Sequence, residues 1–267
     1  MIAAILGTLT GSLAHAAEVS SQQRSSNIAL RKRVHVNTLI TEPDTIEVEF
    51  GSLYSTSSDN FSLPSLIKYT PEGKHILWGR TEYSVGFDSL FSSVIPGGRT
   101  TQFSDRVTFS ANAVILDGEK LDIAIAPQAS FFVRDESGAR AGLTAIARYD
   151  SGQNSTGVAV SWSAATVSSA TNPAGTLDVG FGFGRRLRPS GFIGHFTPHT
   201  NVIYEKSTGV DRTVSVFEGV EYQITEKVAV DFSGQHFNVI GGQVDNGVLV
   251  GLTVNMGKLH HAKAQSR

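Results

Sequence analysis

Residues 217–238, FEGVEYQITEKVAVDFSGQHFN, constrain the fold of this chain more than any other stretch. Val220, Tyr222 and Ile224 alternate with Glu221 and Gln223. Beyond Thr225-Glu226-Lys227, Val228, Val230 and Phe232 alternate with Ala229, Asp231 and Ser233. Successive side chains of a strand point to opposite faces, so this two-residue period fits strands and cannot make a helical stripe. The stretch reads as a β-hairpin with one apolar and one polar face. A soluble sandwich and a membrane barrel both contain such hairpins. They differ in how many segments recur, how regularly, and what the polar faces carry.

From Asp44 onward the alternation hardly stops. Ile46, Val48 and Phe50 oppose Glu47, Glu49 and Gly51; Phe61, Leu63, Ile67 and Tyr69 oppose Ser62, Leu66 and Lys68. Tyr83, Val85 and Phe87 oppose Trp78, Arg80, Glu82 and Asp88, and Val107, Phe109, Ala111 and Ala113 oppose Arg106, Thr108, Ser110 and Asn112. The same holds for Ile123, Ile125 and Phe131 against Asp122, Gln128 and Phe132, and for Val179, Phe181 and Phe183 against Asp178, Gly180, Gly182 and Gly184. The pattern predicts about 12 strands of roughly 9–13 residues, an even number at membrane-spanning length. Connections of one parity are short (TPEGK, LDGEK, DSGQNS, ITEK), and those of the other are longer (DSLFSSVIPGGRTTQ, AATVSSATNPAG, NVIGGQVDNG), with RRLRPSGFIGH as an exception. The fold class expected is all-β: an antiparallel, up-and-down transmembrane β-barrel. Pro64, Pro127 and Pro198 fall inside strand-like segments and each calls for a local bulge, because proline cannot donate to a ladder. They are also candidate points for a lateral exit through the wall.

Composition narrows the function classes. The 267 residues hold no Cys, which removes disulfide scaffolds, thiolate metal sites and Cys nucleophiles, and the net charge of -2 offers no electrostatic footprint for nucleic acid. Residues 1–16 read as a secretion signal, an apolar run ending in Ala14-His15-Ala16 with cleavage after Ala16. Residues 17–43 read as an irregular arm carrying Arg31-Lys32-Arg33, residues 44–257 as the barrel, and 258–267 as a basic tail. The location expected is the bacterial outer membrane.

The segments EPDTIEVEFGSLYS, LPSLIKYTPEGK, TEYSVGFDS, LDIAIAPQASFF and EGVEYQITEKVAVDFSGQ resemble the outer-membrane barrels linked to meta-cleavage phenol degradation. The resemblance covers Asp44 to Gly257 and rests on diffuse strand patterns. It implies passage of small, often aromatic, hydrophobic compounds across the outer membrane. The chain departs from the usual barrel ending, an aromatic residue after the last strand, by running past Met256 into Gly257-Lys258-Leu259-His260-His261.

The function expected is therefore passive uptake of a small-molecule solute, with outer-membrane lipid as the surroundings and no cofactor, metal, catalytic residue or nucleic-acid partner. Candidate lumen or solute contacts are Trp78, Arg80, Glu82, Arg106, Phe132, Arg148 and Asp231, all on the polar phase. Charges packed inside a narrow wall need internal partners, so most of these also serve structure. Trp78 and Phe132 have little use in a pore for hydrated ions, whereas an apolar solute gains about 25 cal/mol per Å² removed from water. They define an apolar binding station between charged rings, or else a plug. Two alternatives stand beside this: a barrel hydrolase acting on lipids, with His195, His199 or His236 as base to an unassigned serine, and a soluble β-sandwich binding module. The VGFGFGRR glycines lack the strand–turn–helix context of a nucleotide loop and read as small residues on the inner face of a strand.

Overall fold

The computed structural model describes residues 41–258 except 42, 57–58, 74–79, 96–97, 104–105, 133–137, 153, 169–172, 186, 188–195, 226 and 242–243. The signal and arm readings, Trp78, Arg134, His195 and the tail beyond Lys258 lie outside these residues. Every regular element described is a strand: β1 (Thr45–Ser55), β2 (Asn60–Thr70), β3 (Arg80–Ile95), β4 (Gly98–Gln102), β5 (Arg106–Asp117), β6 (Leu121–Phe132) and β7 (Ala139–Asp150), followed by β8 (Asn154–Ala165), β9 (Gly175–Arg185), β10 (Phe196–Ser207), β11 (Thr213–Thr225), β12 (Val228–Ile240) and β13 (Asp245–Lys258).

Sequence neighbours pair antiparallel all the way round, β2 pairs β3, and β1 pairs β13. The sheet therefore closes on itself as a 12-strand barrel, with β4 left outside the ring. Closure removes every exposed edge among the ring strands, the one way a sheet can sit in hydrocarbon with its backbone groups satisfied. The ring strands run from 11 to 16 residues, enough to cross a bilayer at a tilt. Thr45 pairs with Lys258, so the chain enters and leaves the ring at the same end.

Polarity is the reverse of a water-soluble protein. Buried residues are mainly polar and include Glu49, Lys68, Arg140, Arg148 and Asp178, whereas Phe50, Leu143, Trp162, Phe181 and Val248 are each at least 50% exposed. Alternation explains this directly: in β12, Asp231, Ser233 and Gln235 are buried while Phe232 is exposed. The apolar phase faces outward, where only lipid makes such a surface favourable. Aromatic side chains mark both edges of this band: Tyr54, Phe109, Phe131 and Trp162 towards the end remote from the termini, and Tyr83, Tyr149 and Phe183 towards the other.

Three sequence expectations change in detail. The long segment DSLFSSVIPGGRTTQ is largely strand: β3 runs on to Ile95 and pairs with β4, from Phe91 against Gln102 to Ile95 against Gly98. Outside the lipid band nothing requires apolar alternation, so the pairing continues after the periodic signal has stopped. The prolines behave differently from one another. Pro64 sits at a register shift against β3, as a bulge requires. At Pro127 the register with β5 is kept but pairing lapses between Ser110–Gln128 and Ala113–Ile125. Pro198 pairs with Val220 of β11 without a shift and lies just beyond the β9–β10 ladder, which begins at His199–Gly184. The expected bulge therefore forms at Pro64, whereas Pro127 and Pro198 are accommodated without one.

Candidate functional site: the inner wall of the barrel

Each inward side chain is placed by strand parity, and cross-strand pairing then sets its neighbours. On β1 and β2, near the end holding the termini, buried Lys68 reaches Glu47 at 2.8 Å and also bonds Glu49. On β6 and β7, Asp122 pairs in register with Arg148, whose Nη2 lies 2.7 Å from the Asp150 carboxylate. Towards the opposite end lies buried Arg140. Its Nε donates to Ser163 Oγ at 2.9 Å, its Nη1 to the Pro173 carbonyl at 2.7 Å, and its Nη2 to Thr176 Oγ1. Buried charges survive when paired and hydrogen-bonded in this way.

The candidates from sequence divide between the two ends. Arg80 is at the rim, part-exposed, 2.7 Å from Asp117. Glu82 is buried and accepts a bond from the Thr41 backbone N–H at 2.9 Å. Arg148 and Asp231 are buried on the same half of the barrel. Arg106 is buried near the far end, with half-buried Phe132 as its cross-strand neighbour. The structure thus does not gather these residues into one site; they are distributed along the interior.

His199 and Asp231 bear on the hydrolase alternative. His199 Nε2 lies 3.5 Å from Asp231 Oδ2, both groups buried, and Ser233 Oγ donates to Asp231 Oδ1. The carboxylate thus accepts from the serine and has the histidine beside it. Nucleophile activation needs the serine on the histidine and the histidine on the carboxylate. His236 points outward, its Nδ1 2.8 Å from Asn246 Oδ1.

An apolar patch on the inner wall was not anticipated. Phe217 and Phe237 meet edge to face at 5.5 Å and 80°, and Leu53 and Leu249 pair across β1 and β13 with almost no exposure. Gly247 lies between the two pairs; a β-carbon there would be 3.4 Å from Leu53 and 3.7 Å from Phe237. The signal was present in parity: Phe217 shares its phase with Glu221, Phe237 with Asp231, and Leu53 with Glu49. Val114, Ile146 and Ile203 are likewise buried on the polar phase.

The closed 12-strand ring, polar inside and apolar outside, matches solved barrels across nearly their whole lengths. It has the fold of the outer-membrane porins. The NanC porin aligns with a TM-score of 0.59 at 9% identity, over 78% of this chain and 98% of that one. The KdgM porin in complex with disordered oligogalacturonate aligns at 0.54 and 11%, over 78% and 98%. The COG4313 outer membrane channel from Pseudomonas putida F1 aligns at 0.59 and 9%, over 81% and 97%. No family model matches the chain, and no curated protein matches it. At these identities the likeness establishes architecture, and function rests on the residues of the wall.

Proposed function

We propose that this chain is an outer-membrane channel that lets small hydrophobic or aromatic compounds cross by passive diffusion. The observation carrying the channel reading is the inverted polarity of a closed barrel: an apolar exterior that needs lipid around a charged, hydrogen-bonding interior. Diffusion down a gradient needs no covalent step and no cofactor. The neighbours named porins and channels support transport, and the resemblance to phenol-linked barrels points the solute class towards aromatic compounds.

The inner apolar groups support the same class. Phe132 stands half-buried beside Arg106 on the inner wall, whereas Phe217, Phe237, Leu53 and Leu249 pack on one another with almost no exposure and fill the interior. A planar solute gains from burying its faces against such rings, which a sugar or hydrated ion does not. Trp78, assigned to the polar phase by sequence, belongs to the same proposed set. The test is flux into liposomes of a small phenol against a sugar of similar size. The native barrel is expected to favour the phenol, and Phe132→Ala to reduce that preference several-fold, with Trp78→Ala alike. Unchanged flux and preference in both folded variants removes the apolar station; a native preference for the sugar removes the solute class.

A further inference from the structure

The outward surface carries an interruption over β10–β13. Thr200, Glu218 and Gly234 are neighbours in one cross-strand row, all on the outward phase, and His236 and Asn246 follow in another. His236 Nε2 lies 3.8 Å from where a β-carbon on Gly234 would sit, so the imidazole leans over the bare glycine. Phe183 and Phe232 flank an open, shallow groove of about 630 Å³ over Pro198, Thr200, Glu218 and Val220. Along β11 the outward residues are Val214, Val216, Glu218, Val220, Tyr222 and Ile224, so Glu218 sits within the apolar band and not at its rim. Among the described residues, none hydrogen-bonds its carboxyl group.

An ionisable side chain facing hydrocarbon is costly and marks a functional surface by default. An acyl chain supplies no donor for it, and phospholipid headgroups lie at the interfaces, beyond the valines on either side. A second copy of this chain in the same bilayer lies at the same depth and in the same orientation. Its own Thr200, Glu218 and His236 then arrive at this level, and two-fold symmetry brings the Thr200 hydroxyl and the His236 ring of each copy against the other's Glu218 carboxyl group. We propose that the β10–β13 face is the interface of a two-fold dimer in which each Glu218 carboxyl group is covered by the Thr200 hydroxyl and His236 imidazole of the other copy. The inference is independent of what the barrel carries.

The chain has no Cys, so one introduced thiol reports only contacts between copies. Thr200→Cys or Gly234→Cys in native membranes, under mild oxidation, is expected to give a disulfide-linked dimer. Phe109→Cys, outward on β5 across the ring, is expected to stay single. In detergent the native protein is expected at twice the single-chain mass, and Glu218→Leu at the single-chain mass with the barrel still folded on an unheated gel. Single-chain mass for the native protein with no cross-link at either cysteine, or equal cross-linking at all three positions, overturns the dimer. A native mass spectrum of one chain retaining a phospholipid that Glu218→Leu loses assigns the groove to lipid and overturns it equally.

Discussion

Val230 and Asp231 are chain neighbours with opposite surroundings. Val230 lies in the outward row Tyr222–Val230–Leu252, whereas Asp231 is buried and holds Ser233 and His199. Arginine on the lipid face near mid-depth costs about 2–4 kcal/mol. Val230→Arg is therefore expected to reduce the heat-resistant folded band on an unheated gel, while Asp231→Asn, which keeps an acceptor for Ser233, preserves it. The reverse ranking would mean that the faces are exchanged. This much of the site was legible in sequence, because parity alone sends Glu49, Lys68 and Arg148 inward and Phe50 outward. Phe217, Phe237 and Leu53 share their parity with nearby acids, which places them inside as it does Phe132, but strand parity alone gives no sign that they meet one another. Arg106 and Arg148 fall at different ends because Arg106 opens β5 and Arg148 lies near the end of β7, strands that run the same way; the exact level of residues on different strands follows from the stagger of the ring, which no single strand encodes.

Among the elements, the β3–β4 hairpin projects from the ring and is tied down by an ion pair between Arg99 and Asp59 at 2.8 Å; Asp59 also accepts from the Tyr54 hydroxyl at 3.0 Å. Both charged partners are solvent-exposed, and exposed pairs contribute about 0–1 kcal/mol. Arg99→Ala is expected to leave the gel mobility and unfolding temperature of the barrel nearly unchanged. A large drop would make the hairpin part of the wall's stability. Strands inside the lipid band were readable because lipid on one side and polar groups on the other enforce the period. The hairpin was read as loop because beyond that band Ser92 and Ser93 can follow Phe91 with no alternation to maintain. The Gly180, Gly182 and Gly184 run was readable as strand for the converse reason, and it lies on the inward phase of β9 against Ile203, Asn201 and His199.

Among the described residues, buried acids outnumber buried bases. Asp44, Glu49, Glu82, Asp122, Asp178, Glu221, Asp231 and Asp245 are buried acids, against Lys68, Arg106, Arg140 and Arg148. A lumen lined with surplus carboxylates concentrates cations. In planar bilayers under a potassium chloride gradient the reversal potential is expected on the cation-selective side, and to move further that way in Arg106→Ala; anion selectivity in the native protein would contradict the assigned lining. The seam between β1 and β13 has a different consequence. Ser55 donates to both oxygens of Asp245 across 190 residues of chain, and the eleven register pairs of that ladder join the first strand synthesised to the last. Closing a loop of that length comes late, after the entropy of ordering the intervening hairpins has been met. Until that ladder forms, the folding sheet carries two open edges, at β1 and at β13, and both must be shielded on the way to the membrane. A chain ending before Asp245 would keep two such edges permanently, so losing one strand of the ring costs the closure of all the others.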